Sequence, residues 1–386
     1  MKVLIYGIGS VTAMIENDLQ EEHEVIGYTD SISSIDIYNG KPFYSLKELE
    51  YLKFDYIIIA VRGMSCLKIC NILQNDYMIS KEKIVPYRLI SESQIYKLKL
   101  DKCYEDEYKG IIVGSSMSLF GILPSFLSVP FLNLSVKSQD IYYNCKTILS
   151  IIDNYSQKVK KLEYIIMDMY DYNVFNYDIS ISSGYLDYLA WGGMLKEHNY
   201  RYNTCISGNL NEQLLISKAM LIEKSDKIIE MRDTLFKSEG IIDFWSKDRP
   251  NERWSYISEK APGNMEKFIG GIVKKRFENT NLANRSILTK TIARIKEFNP
   301  NIKIIFTLIP RFITMETVSV PFMKAWKEEF EKEMYELCKQ DNVHFFDYKG
   351  ETKISGNPQY FFDVDHLNTI GAGCLTSILN EQLKQL

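Results

Sequence analysis

The chain has 386 residues, 46% hydrophobic and 25% charged, a composition that excludes disordered and fibrous classes and gives enough length for two domains with separate cores. Its 46 basic and 50 acidic residues are mixed along the sequence, for a net charge of −4, so nucleic acid is excluded as a partner for want of a concentrated basic face. No apolar run reaches the roughly 20 residues needed to span a bilayer, and no secretory signal precedes the first strand pattern; the expected location is the cytoplasm.

Lys2–Tyr6 is a short apolar run that ends in Gly7-Ile8-Gly9, and Val11, Met14, Ile15 and Leu19 then recur at helical spacing. Strand, glycine turn and helix open a dinucleotide-type βαβ unit. A second strand pattern, Glu24–Tyr28, leads to Asp30, about 20 residues after the glycines, where such folds place an acid for a ribose hydroxyl. Helix N-terminal amides suit a pyrophosphate. Gly7, Gly9 and Asp30 are therefore the candidate nucleotide-binding residues, although Thr12 occupies the place of the third glycine in GxGxxG.

Ser45-Leu-Lys-Glu48 reads as a capping box, and Tyr56–Val61 as a buried parallel strand. Cys66 and Cys70 lie four apart on an expected helix, but the seven cysteines are otherwise scattered, so they read as reduced and no metal site is expected. On these βα units, residues 1 to 90 resemble the small Rossmann-like N-terminal domains of bacterial polysaccharide-modifying enzymes, including sugar acetyltransferases. The resemblance implies a nucleotide or nucleotide-sugar as a ligand of this domain.

Residues 91–109 are polar and tyrosine-rich and mark a boundary, giving domains 1–98 and 99–386. Gly110–Val113 is an apolar strand that delivers Gly114-Ser115-Ser116, where a serine either caps the next helix or presents its hydroxyl at the carboxyl end of a parallel sheet. Phe131–Ser135 and Tyr164–Met167 are further strands, the latter leading into Asp168-Met-Tyr-Asp171. A helical insertion is expected at about 180–285; its Trp245, Trp254, Asp243, Asp248 and Arg249 suit a sugar cleft or simple packing, while Trp191 reads as packing. Asn301–Ile309 is a strand stopped by Pro310, followed by an amphipathic helix from about Pro321 to Gln340, the strand Val343–Asp347 and a terminal helix from about Thr369. Five strands alternating with helices imply a parallel sheet in a three-layer α/β/α arrangement.

Of four histidines, His23, His198 and His344 read as structural, whereas His366 has Asp363 three residues before it in Asp363-Val-Asp-His366. Gly114-Ser115-Ser116 and this motif together resemble the first and last blocks of the SGNH, or GDSL-type, hydrolase superfamily, over about residues 105 to 386. The first block carries serine in place of the usual aspartate.

The resemblance implies Ser116 as nucleophile, His366 as base and Asp363 as its orienter, with Asp365 as a competing orienter. It also implies an oxyanion hole from the Ser138 N–H, in the place of a block glycine, and from Tyr170, which stands where the family has asparagine, with Asn173 as the nearest replacement. Losing one such donor typically costs about 100-fold to 1,000-fold in rate. The expected function is a serine-dependent O-acyl esterase or acyltransferase that acts on a carbohydrate or cell-surface glycan precursor and needs no cofactor for catalysis. The alternative is an SGNH-fold binding or scaffold protein, weak or inactive in turnover. Against a third reading, an NAD-dependent oxidoreductase, stands the incomplete glycine motif of the nucleotide-type fold.

Overall fold

The computed structural model describes residues 1–33, 35–61, 63–87, 108–177, 225–237 and 276–386. They form two compact units, 1–87 with 225–237, and 108–177 with 276–386. The expected boundary at 98/99, the aromatic and charged residues singled out between 191 and 254, His198, Cys103 and Cys205 all lie outside the described residues.

The first unit is a six-stranded mixed sheet. Its elements are β1 (Lys2–Tyr6), α1 (Ser10–Asp18), β2 (Glu24–Thr29), β3 (Ile37–Tyr38), β4 (Lys41–Tyr44), β5 (Tyr56–Ile59), α2 (Gly63–Asn75) and β6 (Ile84–Pro86). The strand order is β3-β4-β2-β1-β5-β6, parallel except for the short β3–β4 pair. Val3, Leu4 and Ile5 are fully buried on both faces of the central strand, as a continuous apolar run requires. Each such side chain stabilises the fold by roughly 1.5–3 kcal/mol relative to exposure. A piece of the expected insertion joins this unit: after the helix Ser225–Leu235, Phe236 bridges Leu19, and the Thr234 carbonyl lies 2.7 Å from His23 Nε2.

The second unit carries β7 (Gly110–Val113), α3 (Ser116–Gly121), β8 (Phe131–Asn133), α4 (Ile141–Asn154), β9 (Tyr164–Asp168), α5 (Glu278–Phe298), β10 (Lys303–Leu308), α6 (Ile313–Leu337), β11 (Val343–Asp347) and α7 (Thr369–Leu383). Its five strands are all parallel in the order β11-β10-β9-β7-β8. Ile112, Ile166 and Ile305 pack with Ala372, Leu375 and Leu379 of α7. By strand alternation Ile111, Ile165 and Ile304 point the other way, and they too are buried, so both faces of the sheet are covered.

The chain leaves β7 for β8 on one side and returns to β9 on the other. That reversal is the topological switch point, and in open α/β sheets ligands bind in the crevice outside the carboxyl ends of the strands there. One boundary differs from expectation. α6 begins at Ile313, with Pro321 inside it, whereas a proline suggested the helix start. Its first two turns are fixed by tertiary contacts: Met315 packs with Met323 and Trp326, and Glu316 pairs with Arg311 and Lys349.

Candidate active site

The second unit brings Ser116, His366 and Asp363 together. Ser116 is the first residue of α3 and half-buried, and its Oγ lies 2.8 Å from His366 Nε2. The opposite ring nitrogen, Nδ1, lies 2.8 and 2.9 Å from the two Asp363 carboxylate oxygens. With Nδ1 protonated and bonded to Asp363, Nε2 presents its lone pair to the serine hydroxyl, the tautomer a base needs.

The base loop is held by its own backbone. Asp363 Oδ1 accepts from the N–H groups of Asp365 (2.9 Å) and His366 (2.8 Å), Phe361 and Leu367 form an antiparallel bridge, and the Phe362 N–H donates to the His366 carbonyl at 2.8 Å. Burial works against charge on Asp363, but the His366 ring and these N–H donors outweigh it and hold the carboxyl below the usual carboxylate range. Asp365 has no such set; burial pushes its carboxyl up, with Arg311 opposing. Of the two acids, Asp363 is thus the one bonded to the His366 ring. The Phe120 ring stands edge-on to His366, 5.8 Å between centroids.

On the serine side, Ser115 caps α3 through its own hydroxyl, which accepts from the Met117 N–H at 3.2 Å, so the cap and the contact to His366 fall on adjacent serines. Buried Asp168, at the end of β9, fastens this turn. Its Oδ2 accepts from the Ser115 hydroxyl (2.9 Å) and from the N–H groups of Ser115 and Ser118 (both 3.3 Å), while its Oδ1 accepts from the Tyr170 N–H (2.8 Å). A Cβ at Gly114 would stand 2.5 Å from Asp168 Cβ, so only glycine admits the carboxylate this close. Despite four donors, burial pushes the Asp168 carboxyl above its usual range.

The expected oxyanion residues are gathered on two loops beside these strand ends. Ser138 lies in the turn after β8, at φ 60, the left-handed region that favours glycine, in the position where the resemblance expects one. Its carbonyl accepts from the Tyr177 hydroxyl at 3.0 Å, and the Tyr177 ring lies 5.9 Å from that of Tyr170. Tyr170 is also left-handed, at φ 57. Its N–H is committed to Asp168, which leaves its hydroxyl as the donor, and burial together with the Asp365 charge pushes that hydroxyl's pKa up, so it keeps its proton. Asn173 is buried, and its side-chain oxygen has no hydrogen-bond partner among the described residues.

Sequence reading missed a buried four-charge cluster at the same strand ends. Asp171 pairs with Arg311 (2.7 Å) and Lys349 (2.9 Å), and Glu316 pairs with the same Arg311 (3.2 Å) and Lys349 (2.9 Å). Burial alone would raise the Asp171 carboxyl; the two cations hold it down to about 2. The available signal was an acid or base just past the end of each of three strands.

In the first unit Gly7 and Gly9 shape the β1–α1 turn at φ 95 and φ 150, and the Gly7 N–H donates to the Thr29 carbonyl at 2.7 Å, which puts Asp30 at the end of the neighbouring strand. Thr12 is buried where the third glycine was missing, and its hydroxyl donates to the Gly7 carbonyl at 3.0 Å. Asp30 closes its own turn, accepting from the Ile32 N–H (2.8 Å), the Ser33 N–H (2.5 Å) and the Ser33 hydroxyl (2.5 Å). The Ser45 and Glu48 box is formed, with the Glu48 carboxylate accepting from the Ser45 N–H at 2.7 Å. Cys66 and Cys70 are buried free thiols, and among the described residues no cluster of metal-ligating side chains occurs.

The fold and site define an α/β protein with a serine, histidine and aspartate relay at the switch point of a parallel sheet. Residues 1–85 match the family model described as C2185-like, N-terminal, which covers nearly all of the first unit's sheet. No curated protein matches the chain. Among the described residues no helix is long and apolar enough to cross a membrane.

Proposed function

We propose that the second unit is a serine-dependent O-acyl esterase or acyltransferase with SGNH-type α/β/α layering, acting on a carbohydrate or cell-surface glycan precursor. The observation that carries this reading is the relay in which Ser116 Oγ, His366 and Asp363 are linked at 2.8 Å at each step. Ser116 Oγ attacks the acyl carbonyl carbon while His366 Nε2 takes the hydroxyl proton, and Asp363 stabilises the imidazolium so formed. The tetrahedral oxyanion faces the Ser138 N–H and the Tyr170 hydroxyl or the Asn173 side chain. Collapse breaks the carbon–oxygen bond of the leaving alcohol, which takes the proton from His366 and leaves the acyl group on Ser116. Water makes the protein an esterase, and a second sugar hydroxyl makes it a transferase; either attacks with loss of its proton to His366, and the proton then returns to Ser116. The carbohydrate acceptor rests on the resemblance of the first domain to those of polysaccharide-modifying enzymes. In that domain Gly7, Gly9 and Asp30 are the residues for a nucleotide or nucleotide-sugar.

A fluorophosphonate probe tests the reading: the protein is labelled covalently, and Ser116→Ala abolishes the label. Tyr170 in the asparagine position favours the alternative, a binding or scaffold protein in a surface-polysaccharide pathway. A wild-type protein that takes no label decides for that alternative.

A further inference from the structure

The geometry points to residues 168–171 as the segment that registers the nucleophile against its base, with Asp168 and the Asp171–Arg311 pair as positioning residues. This rests on the acyl-transfer reading of Ser116. The first carboxylate faces the nucleophile: Asp168 Oδ2 gathers the Ser115 hydroxyl and the Ser115 and Ser118 N–H groups, the donors that flank Ser116. Three residues on, the second carboxylate faces the base. Asp171 holds Arg311 at 2.7 Å, and the next residue, Phe312, donates its N–H to the Val364 carbonyl at 3.0 Å, inside the Asp363–His366 loop.

Two further contacts tie the same parts. The Phe312 ring packs edge-on against Phe361 at 5.6 Å, and Val364 packs in one cluster with Tyr172, Met315 and Trp326. Between the two carboxylates the chain is stiff: the Tyr170 N–H is bonded to Asp168, and the Asp171 N–H donates to the Met169 carbonyl at 2.6 Å. One short segment therefore sets both ends of the 2.8 Å Ser116–His366 contact. Lys349 and Glu316 complete the charge balance around Asp171 and Arg311.

A misplacement of about 1 Å in such a pair costs about 100-fold in rate. Asp171→Asn and Arg311→Lys are therefore expected to slow fluorophosphonate labelling of Ser116 by about 10-fold to 100-fold, and in turnover to lower kcat with KM nearly unchanged. Because Asp171→Asn leaves an unpaired charge and risks unfolding, the charge-balanced double variant Asp171→Asn/Lys349→Met is made beside them. The second readout needs no activity: in protein carrying ¹⁵N-labelled histidine, the low-field Nδ1–H resonance of His366 shifts or broadens in the folded variants. Folded variants that keep both the wild-type labelling rate, within twofold, and the wild-type resonance overturn the proposal. A wild-type protein that takes no probe overturns the acyl-transfer reading instead, and the resonance comparison alone then decides whether segment 168–171 places His366.

Discussion

Each unit opens with a strand, a glycine turn and a helix, yet the two turns use glycine for opposite ends. After β1, Gly7 and Gly9 supply left-handed backbone, no side chain among the described residues caps α1, and Thr12 closes the turn on its own carbonyls, its hydroxyl donating to Gly7 and its N–H to Gly9. After β7, Gly114 supplies space rather than a special dihedral, and Asp168 enters that space to take the amides of Ser115 and Ser118. One turn bonds its donors within itself; the other directs them to a carboxylate from a neighbouring strand. The same strand-turn-helix pattern thus closes on backbone carbonyls in one unit and on a buried carboxylate in the other.

The largest expected effect breaks the second turn's chemistry. Asp363→Asn removes the acceptor that sets the His366 tautomer and is expected to lower acylation of Ser116 by about 10⁴-fold, whereas Asp365→Asn is expected to change it by only a few fold. Pseudo-first-order labelling rates measure both. Equal losses in the two variants would contradict the choice of orienter.

Stability distinguishes the two uses of glycine. Gly114→Ala drives a methyl to 2.5 Å from Asp168 Cβ and 2.2 Å from Ser118 Oγ, and is expected to cost about 1–3 kcal/mol and to slow labelling. Gly7→Ala sets an L side chain at φ 95 and is expected to cost roughly 1–2 kcal/mol through strain, with the nearest atom, Val61 Cγ2, at 3.1 Å. Denaturant midpoints give both numbers, and a Gly114→Ala protein that stays fully stable and fully reactive would contradict the close-approach argument.

Asp168 and Asp171, three residues apart, titrate in opposite directions. Asp171 is held down to about 2 by Arg311 and Lys349, so its contribution is present above its unfolded pKa of about 4 and is lost as pH falls from about 4 through about 2. That limb is worth roughly 2 kcal/mol. Asp168, raised by burial, works the other way, adding stability as pH falls through its folded value. Urea unfolding between pH 5 and pH 2 is expected to show a falling acid limb that flattens in Asp171→Asn. An unchanged limb would mean that Asp171 is not charged in the folded protein.

What was legible in the sequence was local. Asp363 and His366 meet three residues apart, with the intervening amides as part of the bond, so the motif carries its own geometry. The five parallel strands were legible because each is a short, largely apolar run, and the three central ones, β7, β9 and β10, are buried on both faces. Asp168 was not legible as the clamp, since its partners lie 53 and 50 residues away, and neither was Lys349 beside Asp171, 178 residues apart. The α6 start was misplaced because Pro321 carries a local meaning that packing of Met315 and the Glu316 ion pairs overrode.

The smallest predicted effects lie in single hydroxyls, one at each turn. Ser115→Ala deletes the cap of α3 and a 2.9 Å bond to Asp168, and is expected to cost about 1–2 kcal/mol. Thr12→Val keeps the shape of a buried side chain and deletes one 3.0 Å bond to the Gly7 carbonyl, for about 1 kcal/mol. The two differ in where the loss is felt: amide hydrogen exchange is expected to quicken around Ser115–Leu119 in the first variant and around Gly7–Ala13 in the second. If Thr12→Val left exchange at its own turn unchanged, the hydroxyl would not be what closes that turn, and the glycines and the Thr12 N–H bond to the Gly9 carbonyl would hold it instead.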